Sequence, residues 1–481
     1  MRIHEKELST AGFPLLRRDF LRRSVGGLGA IALAQVLADA GARAAPPSAP
    51  NPYAARRPHH RPRAKAVISL VQNGGPSQMD LFDPKPKLGE YHGKPYPGGE
   101  LEAFFTKEMG NVLASPFEFR PHGECGMELS ELLPQLGTVA DELTLVRSMT
   151  TESVDHELAV NTMNSGKVLD GRPVWGAWVV YGLGTERQDL PAYVALTDPG
   201  GPPVNGPLNW SAGFLPAAYQ GTPFRPQGPP VLNLSTPAGL PAEGRRNQLR
   251  FLEELNRVHQ RRHPENFELA ARIRNYELAA EMQMSVPEVV DFSDESEETR
   301  RLYGLDRPES AEYGKRCLLA RRLVERGVRF VQVFLNLQPW DTHSGNAKRL
   351  RSLAAMTDQP SAALVADLKR RGLLDSTIVL WTGEFGRLPI SQGKDGRDHN
   401  RHGFSLWIAG GGFRRGYVHG ATDEFGYKAV EDVVGVSDLH ATLLAALGLD
   451  HERLTYHHAG RDEGLTDVDL TDARVVDEML G

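Results

Sequence analysis

Short runs of consecutive apolar residues alternate with helical patterns along most of this sequence, and this alternation constrains the fold more than any other feature. The first run, Ala66–Val71, ends in the turn-forming residues 72–77. Continuous apolar runs are typical of strands that are buried on both faces, as in a parallel sheet. Further runs of this kind occur at residues 143–147, Tyr193–Leu196, 330–335, 377–381 and 405–409.

Helical patterns precede two of these runs. Residues 315–326 and 361–371 each show such a pattern, and Gly327 and Gly372 stand where the C-caps of the two helices are expected. Strand, helix and strand in alternation predict an α/β fold with a parallel sheet covered on both faces. Because such sheets bind ligands at the carboxyl ends of their strands, polar residues directly after the apolar runs are the first candidates for a site.

Composition divides the chain into segments. Residues 45–64 are rich in Pro and Arg and predict a flexible leader in front of a domain that spans residues 65–460. Two long helical patterns and an acidic stretch predict a helical insertion at about residues 240–310. Residues 461–481 are expected to form a C-terminal tail.

Residues 1–44 have the pattern of a secretory signal. The pair Arg17-Arg18 precedes an uncharged run at 24–38, and a small-x-small cleavage site ends at Ala44. This pattern predicts a twin-arginine signal peptide, and therefore a protein that is located in the periplasm or otherwise exported. The run is shorter than the roughly 20 apolar residues that a bilayer span needs, so no transmembrane span is expected in the mature chain. An uncleaved anchor is the alternative.

Charge and cysteine content exclude several classes of function. The chain has 61 Asp and Glu against 55 Lys and Arg, a formal net charge of -6, so neither nucleic acid nor an anionic membrane is an expected partner. Its two cysteines, Cys125 and Cys317, exclude a metal site built from cysteine and leave a single disulfide open. Cys317 lies in a helical pattern and is expected to be buried.

Side chains that bind metals are densest in the loop before the run at 405–409. Asp398, His399 and His402 lie within five residues there. A carboxylate and two imidazoles on a loop that contains glycine can form a site for a divalent metal ion. The alternative is a solvated polar loop.

Two further groups follow predicted strands. Asp341 and His343, after the run at 330–335, can face one pocket if the segment is extended; the alternative is a turn in which Asp341 caps the next helix. Glu384 and Arg387 follow the run at 377–381. Arg387 can hold an anion, whereas a single Glu after a strand is often an ion-pair partner.

His156 begins a helical pattern after the run at 143–147. The N-terminus of a helix attracts anions, because its unpaired N–H groups and its dipole point at the site. His156 is therefore a candidate catalytic residue, and a purely structural histidine is the alternative.

Taken together, these motifs resemble the DUF1501 family of exported bacterial proteins, which are distant relatives of the sulfatase and alkaline phosphatase superfamily. The resemblance extends over the predicted domain. It is carried by residues 74–86, 275–283, 340–343, 383–387 and 396–400. It implies an alkaline phosphatase/sulfatase-like mixed sheet with helices on both faces and a helical insertion.

The similarity to sulfatases is fainter, and the chain departs from their pattern at two places. His156 occupies the position that resembles the sulfatase nucleophile, where sulfatases have a Cys or Ser. Gln72-Asn73 ends the first strand, where an acidic, metal-binding pair is expected. These departures exclude the usual covalent chemistry of sulfatases and leave metal-activated water as a route.

The resemblance implies an exported, metal-dependent hydrolase-like protein that acts on sulfate or phosphate esters of small molecules or polysaccharides. In this interpretation, one or two divalent ions (Ca²⁺, Zn²⁺ or Mn²⁺) are bound, and His156 and Arg387 face the anionic group. The implied metal ligands are Asp341, His343, Glu384, Asp398, His399 and His402. The alternative is a catalytically degenerate relative that binds an anionic glycan or a partner in the cell envelope.

Overall fold

A computed structural model describes residues 53–187, 189–231, 241–263 and 267–481. The predicted signal peptide and the first part of the predicted leader, up to residue 52, lie outside the described residues. Within those described ranges, no helix combines the length and the apolar character that crossing a bilayer requires.

The secondary structure alternates between strands and helices as expected. The strands are β1 (Ala66–Val71), β2 (Met109–Val112), β3 (Phe119–His122), β4 (Met127–Ser130), β5 (Leu143–Thr150), β6 (Tyr193–Leu196), β7 (Thr222–Phe224), β8 (Phe330–Phe334), β9 (Thr377–Thr382), β10 (Gly386–Arg387), β11 (Ile390–Gln392), β12 (His399–Asn400), β13 (Phe404–Ala409), β14 (Tyr417–His419), β15 (Ala421–Thr422), β16 (Ala429–Glu431), β17 (Val434–Gly435), β18 (Thr455–His458) and β19 (Arg461–Gly464). The helices are α1 (Gln78–Leu81), α2 (Pro86–Glu90), α3 (His156–Ser165), α4 (Trp175–Leu183), α5 (Ala242–Arg262), α6 (Phe267–Val290), α7 (Glu297–Leu302), α8 (Ala311–Glu325), α9 (Asn346–Arg370) and α10 (Val436–Ala446).

A large mixed sheet forms the centre of the described structure. Its strand order is β14-β5-β13-β9-β1-β8-β6-β7, and β17 also pairs with β5. Strands β9, β1, β8, β6 and β7 run parallel to one another, whereas β13 is antiparallel to both of its neighbours, β9 and β5. The single antiparallel strand therefore leaves β5 parallel to β9.

Helices cover the sheet because its strands are apolar along their whole length. All five residues of β8 are buried, and both α4 and α8 contact this strand. In β1, Val67, Ile68 and Leu70 are completely inaccessible to solvent. These observations confirm the predicted α/β class, with a mixed sheet and covering helices.

The two ends of the described chain are bound to the domain, which corrects two expectations. The leader is held from Tyr53 onward, since the Arg56 amide donates to the Leu183 carbonyl and the Ala64 amide to that of Ala446. The predicted C-terminal tail contains β19, which pairs with β18. Its last residues also pack on the domain, because Met479 is fully buried.

The predicted helical insertion contains the long helices α5 and α6, followed by the short helix α7. Both long helices occur where helical patterns were predicted. The two cysteines, both among the described residues, are free thiols. Cys317 is buried in α8 as expected, and Cys125 is exposed.

Candidate metal centre

The topology of the sheet brings the candidate residues to one edge. Strands β1, β5, β8 and β9 all end there, and β13 begins there because it runs in the opposite direction. The segments that follow β5, β8 and β9 carry His156, Asp341, His343 and Glu384, and the segment that precedes β13 carries His399. Residues that are far apart in sequence therefore meet at the edge where α/β sheets bind ligands.

Four of these side chains form a compact group, which we call the imidazole cluster: His156, Asp341, His343 and His399. One ligand-type atom from each residue lies within 4.8 Å of the others. The centre of the group is Asp341 Oδ1, which lies 2.9 Å from Nε2 of His343, 3.3 Å from Nε2 of His399 and 3.5 Å from Nε2 of His156. His156 and His399 are buried, and the other two residues are partly exposed.

The other ring nitrogen of each imidazole faces an oxygen acceptor. These acceptors are Glu384 Oε1 for His156, at 2.6 Å, the Val154 carbonyl for His399, also at 2.6 Å, and Gln392 Oε1 for His343. The orientation of the Gln392 amide is fixed, because its Nε2 donates to Glu108 at 2.7 Å. Each Nδ1 is therefore placed to donate to its acceptor, and each Nε2 is directed at the centre, as in metal-ligating histidines.

The backbone around the first strand supports this arrangement. The Gly74 amide donates to both carboxylate oxygens of Glu384, at 2.9 and 3.1 Å. Gly74 has φ of 110°, and a Cβ there would come within 2.5 Å of the Asp341 nitrogen, so only glycine fits. Gln72, which replaces an expected acidic residue, accepts from the indole of Trp340 at 3.1 Å. The loop after β1 thus positions Asp341 and Glu384.

The hydrogen-bonding capacity of Asp341 and the types of side chain around it favour a cation within the imidazole cluster. Asp341 Oδ1 also accepts from Arg387 Nη2 at 2.7 Å, and one oxygen cannot accept from three imidazoles as well. Among the described residues, His156 Nε2 is buried and has no hydrogen-bond partner. Three imidazoles and one carboxylate are ligands that suit Zn²⁺ or Mn²⁺, whereas Ca²⁺ prefers oxygen alone. The residues present therefore fit a transition-metal ion.

The pKa values of the cluster residues reflect two opposing effects, burial and the charges of neighbouring groups. Burial opposes ionisation of Asp341, but the three neighbouring imidazoles and the charge of Arg387 hold its pKa well below the usual range. Burial also disfavours the charged form of His156, yet Asp341 and Glu384 outweigh it and raise the pKa of His156 to about 9. For His399, burial dominates and lowers the pKa to about 4.

Arg387 is not placed to face a substrate, which corrects its predicted role. Its side chain is completely buried. The guanidinium donates to the carbonyls of Gly75, at 2.9 Å, and Arg397, at 3.0 Å, as well as to Asp341. Arg387 is therefore a positioning residue that fixes the Asp341 carboxylate.

Three of the predicted metal ligands have other partners. Glu384 bonds to His156 and so orients a member of the cluster. The Asp398 carboxylate accepts from the amides of Phe105, at 2.7 Å, and His399, at 2.8 Å. The imidazole of His402 lies 2.7 Å from the carboxylate of Glu102. The structure thus brings together Asp341, His343 and His399 with His156, and leaves these three outside the group.

Sequence reasoning missed two of the three groups that hold the imidazoles. Gln392 is 49 residues from His343 and has no distinguishing neighbours in sequence. The Val154 carbonyl is a backbone group, which no sequence motif reveals. The buried pair Asp80–Arg397, at 2.8 Å, lies next to the site.

Comparison with solved structures finds remote matches. A lipoteichoic acid synthase from Listeria monocytogenes is 8% identical, with a TM-score of 0.33, and the match covers 87% of this chain and 78% of that chain. A sulfatase from Pseudoalteromonas sp. is 13% identical, with a TM-score of 0.33 and coverages of 81% and 69%. A phosphonate monoester hydrolase from Silicibacter pomeroyi is 12% identical, with a TM-score of 0.33 and coverages of 87% and 76%.

Comparison with curated proteins finds no match. The family comparison does find one, and it spans nearly the whole domain. The matching family is described as "Protein of unknown function (DUF1501)" and the match covers residues 64–480. This confirms the resemblance seen in the sequence motifs: the chain belongs to the DUF1501 family.

Proposed function

We propose that this protein is an exported, metal-dependent hydrolase that acts on sulfate or phosphate esters, including those of polysaccharides. The observation that carries the proposal is the convergence of three imidazole Nε2 atoms on one carboxylate oxygen at the carboxyl edge of the sheet. Each imidazole is also held at Nδ1, which is the second layer that metal sites need.

The residues of the imidazole cluster and their two buried neighbours have different proposed roles. His156, His343, His399 and Asp341 would hold the ion, which we propose to be Zn²⁺ or Mn²⁺. When bound, such an ion supplies Lewis-acid chemistry. Glu384 keeps the proton of His156 on Nδ1 and so keeps Nε2 available. Arg387 holds Asp341 in place from a position that solvent does not reach.

The place of His156 argues against a covalent route. One of its nitrogens is bonded to Glu384, and the other faces Asp341, so neither is available to attack an ester. We therefore assign His156 to the proposed metal ligands rather than to a nucleophile or base. The resemblance of the sequence to sulfatases supports sulfate or phosphate esters as the substrate class.

One observation favours the alternative, a degenerate relative that only binds an anionic glycan or a cell-envelope partner. The pKa of His156 is raised to about 9, because Asp341 and Glu384 outweigh the effect of burial. A protonated His156 between two carboxylates balances the charge of the cluster without any metal. The two candidates thus differ in what neutralises the same carboxylates.

Metal-dependent turnover distinguishes the two candidates. The purified protein is stripped with EDTA, loaded with Zn²⁺, Mn²⁺ or Ca²⁺, and assayed on 4-nitrophenyl phosphate and 4-nitrophenyl sulfate. We expect turnover with Zn²⁺ or Mn²⁺, and its loss after chelation and in Asp341→Asn. Turnover that survives chelation unchanged would contradict the metal role. Absence of turnover of either ester, whichever ion is supplied, would select the degenerate relative.

Export is tested separately, because the signal lies outside the described residues. Changing Arg17-Arg18 to Lys-Lys should leave the precursor in the cytoplasm, since the twin-arginine route requires the guanidinium pair and not charge alone. A fractionated immunoblot of precursor and mature forms measures this. Normal processing of the double-lysine variant would exclude the route.

A further inference from the structure

Two neighbouring phenylalanines lie against the imidazole cluster. The ring of Phe104 is tilted over His399, with 5.2 Å between ring centroids, and the edge of Phe105 meets His343 at 5.0 Å. The two phenyl rings also contact each other, at 4.9 Å. Both remain largely open to solvent, since Phe104 is 45% exposed and Phe105 is 41% exposed. An apolar surface therefore borders the proposed metal site.

The protein anchors this pair through groups that the proposed chemistry does not use. The Phe105 amide donates to the carboxylate of Asp398, a residue that is only 3% exposed. On one side, the carboxylate of Glu102 bonds to Arg401 Nε, at 2.9 Å, and to His402. Asp398 and His402 were predicted to bind metal, and in the structure both hold the segment that carries the rings.

The anchor on the other side leads back to the cluster. Glu108 accepts from Gln392 Nε2 at 2.7 Å, and the same amide accepts from His343 Nδ1. The segment between Glu102 and Glu108 is thus tied at both ends and in its middle. Single exposed apolar side chains are common on protein surfaces. Two adjacent rings, fixed by a buried carboxylate and touching two imidazoles of one site, are a different arrangement.

We infer that Phe104 and Phe105 form a stacking platform for a ring in the alcohol part of the ester, so that the substrate is a sulfate or phosphate ester of an aryl group or a pyranose. This inference rests on the proposed function for its anionic group. Both kinds of ring present a flat apolar face, which stacks on an aromatic side chain, while the anionic group points to the cluster. Esters of short acyclic alcohols lack that face.

The test measures binding, so that it does not depend on turnover. Titration calorimetry on the Zn²⁺-treated protein compares phenylphosphonate with methylphosphonate, and glucose 6-phosphate with glycerol 3-phosphate. We expect the ring-bearing member of at least one pair to bind about five- to tenfold more tightly, and the pair that shows this identifies the ring as aryl or pyranose. Phe104→Ala should remove the preference, and Phe104→Trp should retain it.

Leu470→Ala is the matched control, because Leu470 is 68% exposed and belongs to none of the groups described above. It should leave every affinity unchanged. Equal binding within both pairs, no binding of any of the four probes, or a preference that survives in Phe104→Ala would overturn the platform. A ring preference in a protein that hydrolyses neither test ester would leave the platform standing and refute the hydrolase.

Discussion

Two groups of buried ionisable side chains in this protein are balanced in different ways. The first is the imidazole cluster. The second, which we call the ion-pair network, joins α8 and the C-terminal end of α9 to the loop between α6 and α7. It consists of Arg321, Arg322, Arg371, Glu295 and Asp367. In the network, Arg321 lies 2.6 Å from Glu295 and 3.0 Å from Asp367, with all three buried. Its cations are guanidiniums, whose charge is permanent.

At the cluster, Asp341 and the neighbouring Glu384 face one guanidinium, that of Arg387, and imidazoles whose charge depends on pH and on bound ions. His399 is neutral at physiological pH, since burial lowers its pKa to about 4. The ion-pair network is therefore complete within the protein, whereas the cluster requires a proton or a metal ion. This difference separates a structural group of buried charges from a functional one. The predictions below test it.

The largest effect is expected in the ion-pair network. Asp367→Asn leaves Arg321 and its neighbours without their shared carboxylate, and breaking a buried ion pair in this way costs about 3–5 kcal/mol. The control is Asp375→Asn, because Asp375 is 78% exposed and pairs with Arg415 on the surface. That change should cost less than about 1 kcal/mol.

Urea unfolding of the two variants gives these free energies, and metal affinity should be the same in both. If Asp367→Asn were as stable as Asp375→Asn, the network would not be the structural group that we describe.

The next effect is expected in the cluster and concerns metal affinity. His343 and His402 are matched histidines, with side chains 26% and 28% exposed, and only His343 belongs to the cluster. His343→Ala should weaken Zn²⁺ binding by at least about 100-fold, since the loss of a ligand exceeds the 10–100-fold effect of losing an outer-layer partner. His402→Ala should leave the affinity unchanged.

Competition with a chromogenic chelator measures both constants. Equal weakening in the two variants would mean that the distinction between cluster and surrounding loop is wrong.

Much of the sheet was predictable, because buried strands require continuous apolar runs. Strand β6 has the predicted bounds, and β9 differs from its predicted run by one residue. Helix α9 begins at Asn346 rather than at 361, and Pro360, a residue type that disfavours helix interiors, lies inside it. Helix propensity therefore does not predict the start of α9, because packing stabilises this helix across a proline.

The site was only partly predictable, because the sequence does not show the direction in which a strand runs. An apolar run shows that a strand is buried but does not show which way it runs. The antiparallel direction of β13 is what places His399, in the segment that precedes that strand, beside Asp341 and His343. Its neighbours Asp398 and His402 do not join the cluster, because their side chains bond to other partners. Spacing identified the loop but not the orientation of its side chains.

Asp358 provides a smaller test, since it is a buried carboxylate with no cationic partner among the described residues. Its partners are the amides of Gln135 and Leu136, each at 2.8 Å, and burial raises the pKa of Asp358 to about 6. The pKa of Asp358 is higher in the folded than in the unfolded protein, so the contribution of this residue to stability is greatest at low pH. That contribution should fall as the pH rises from 3.8, the pKa in the unfolded chain, through about 6, and then level off.

The loss attributable to Asp358 is at most about 3 kcal/mol. Asp358→Asn removes this titration, so the stability difference between wild type and variant should vary over that pH range. Thermal or urea unfolding at several pH values measures it. A difference that does not change with pH would show that Asp358 is ionised in the fold as easily as in the unfolded chain.

The central claim is that the imidazole cluster binds a divalent transition-metal ion, and elemental analysis tests it most directly. The folded wild-type protein and Asp341→Asn are loaded with Zn²⁺ or Mn²⁺, passed through a desalting column and analysed for metal per chain. We expect one ion per chain in the wild type and almost none in the variant. The ion should also raise the melting temperature of the wild type alone, because it binds only the folded state. Wild-type protein without bound metal, or the same metal content in Asp341→Asn, would contradict the claim.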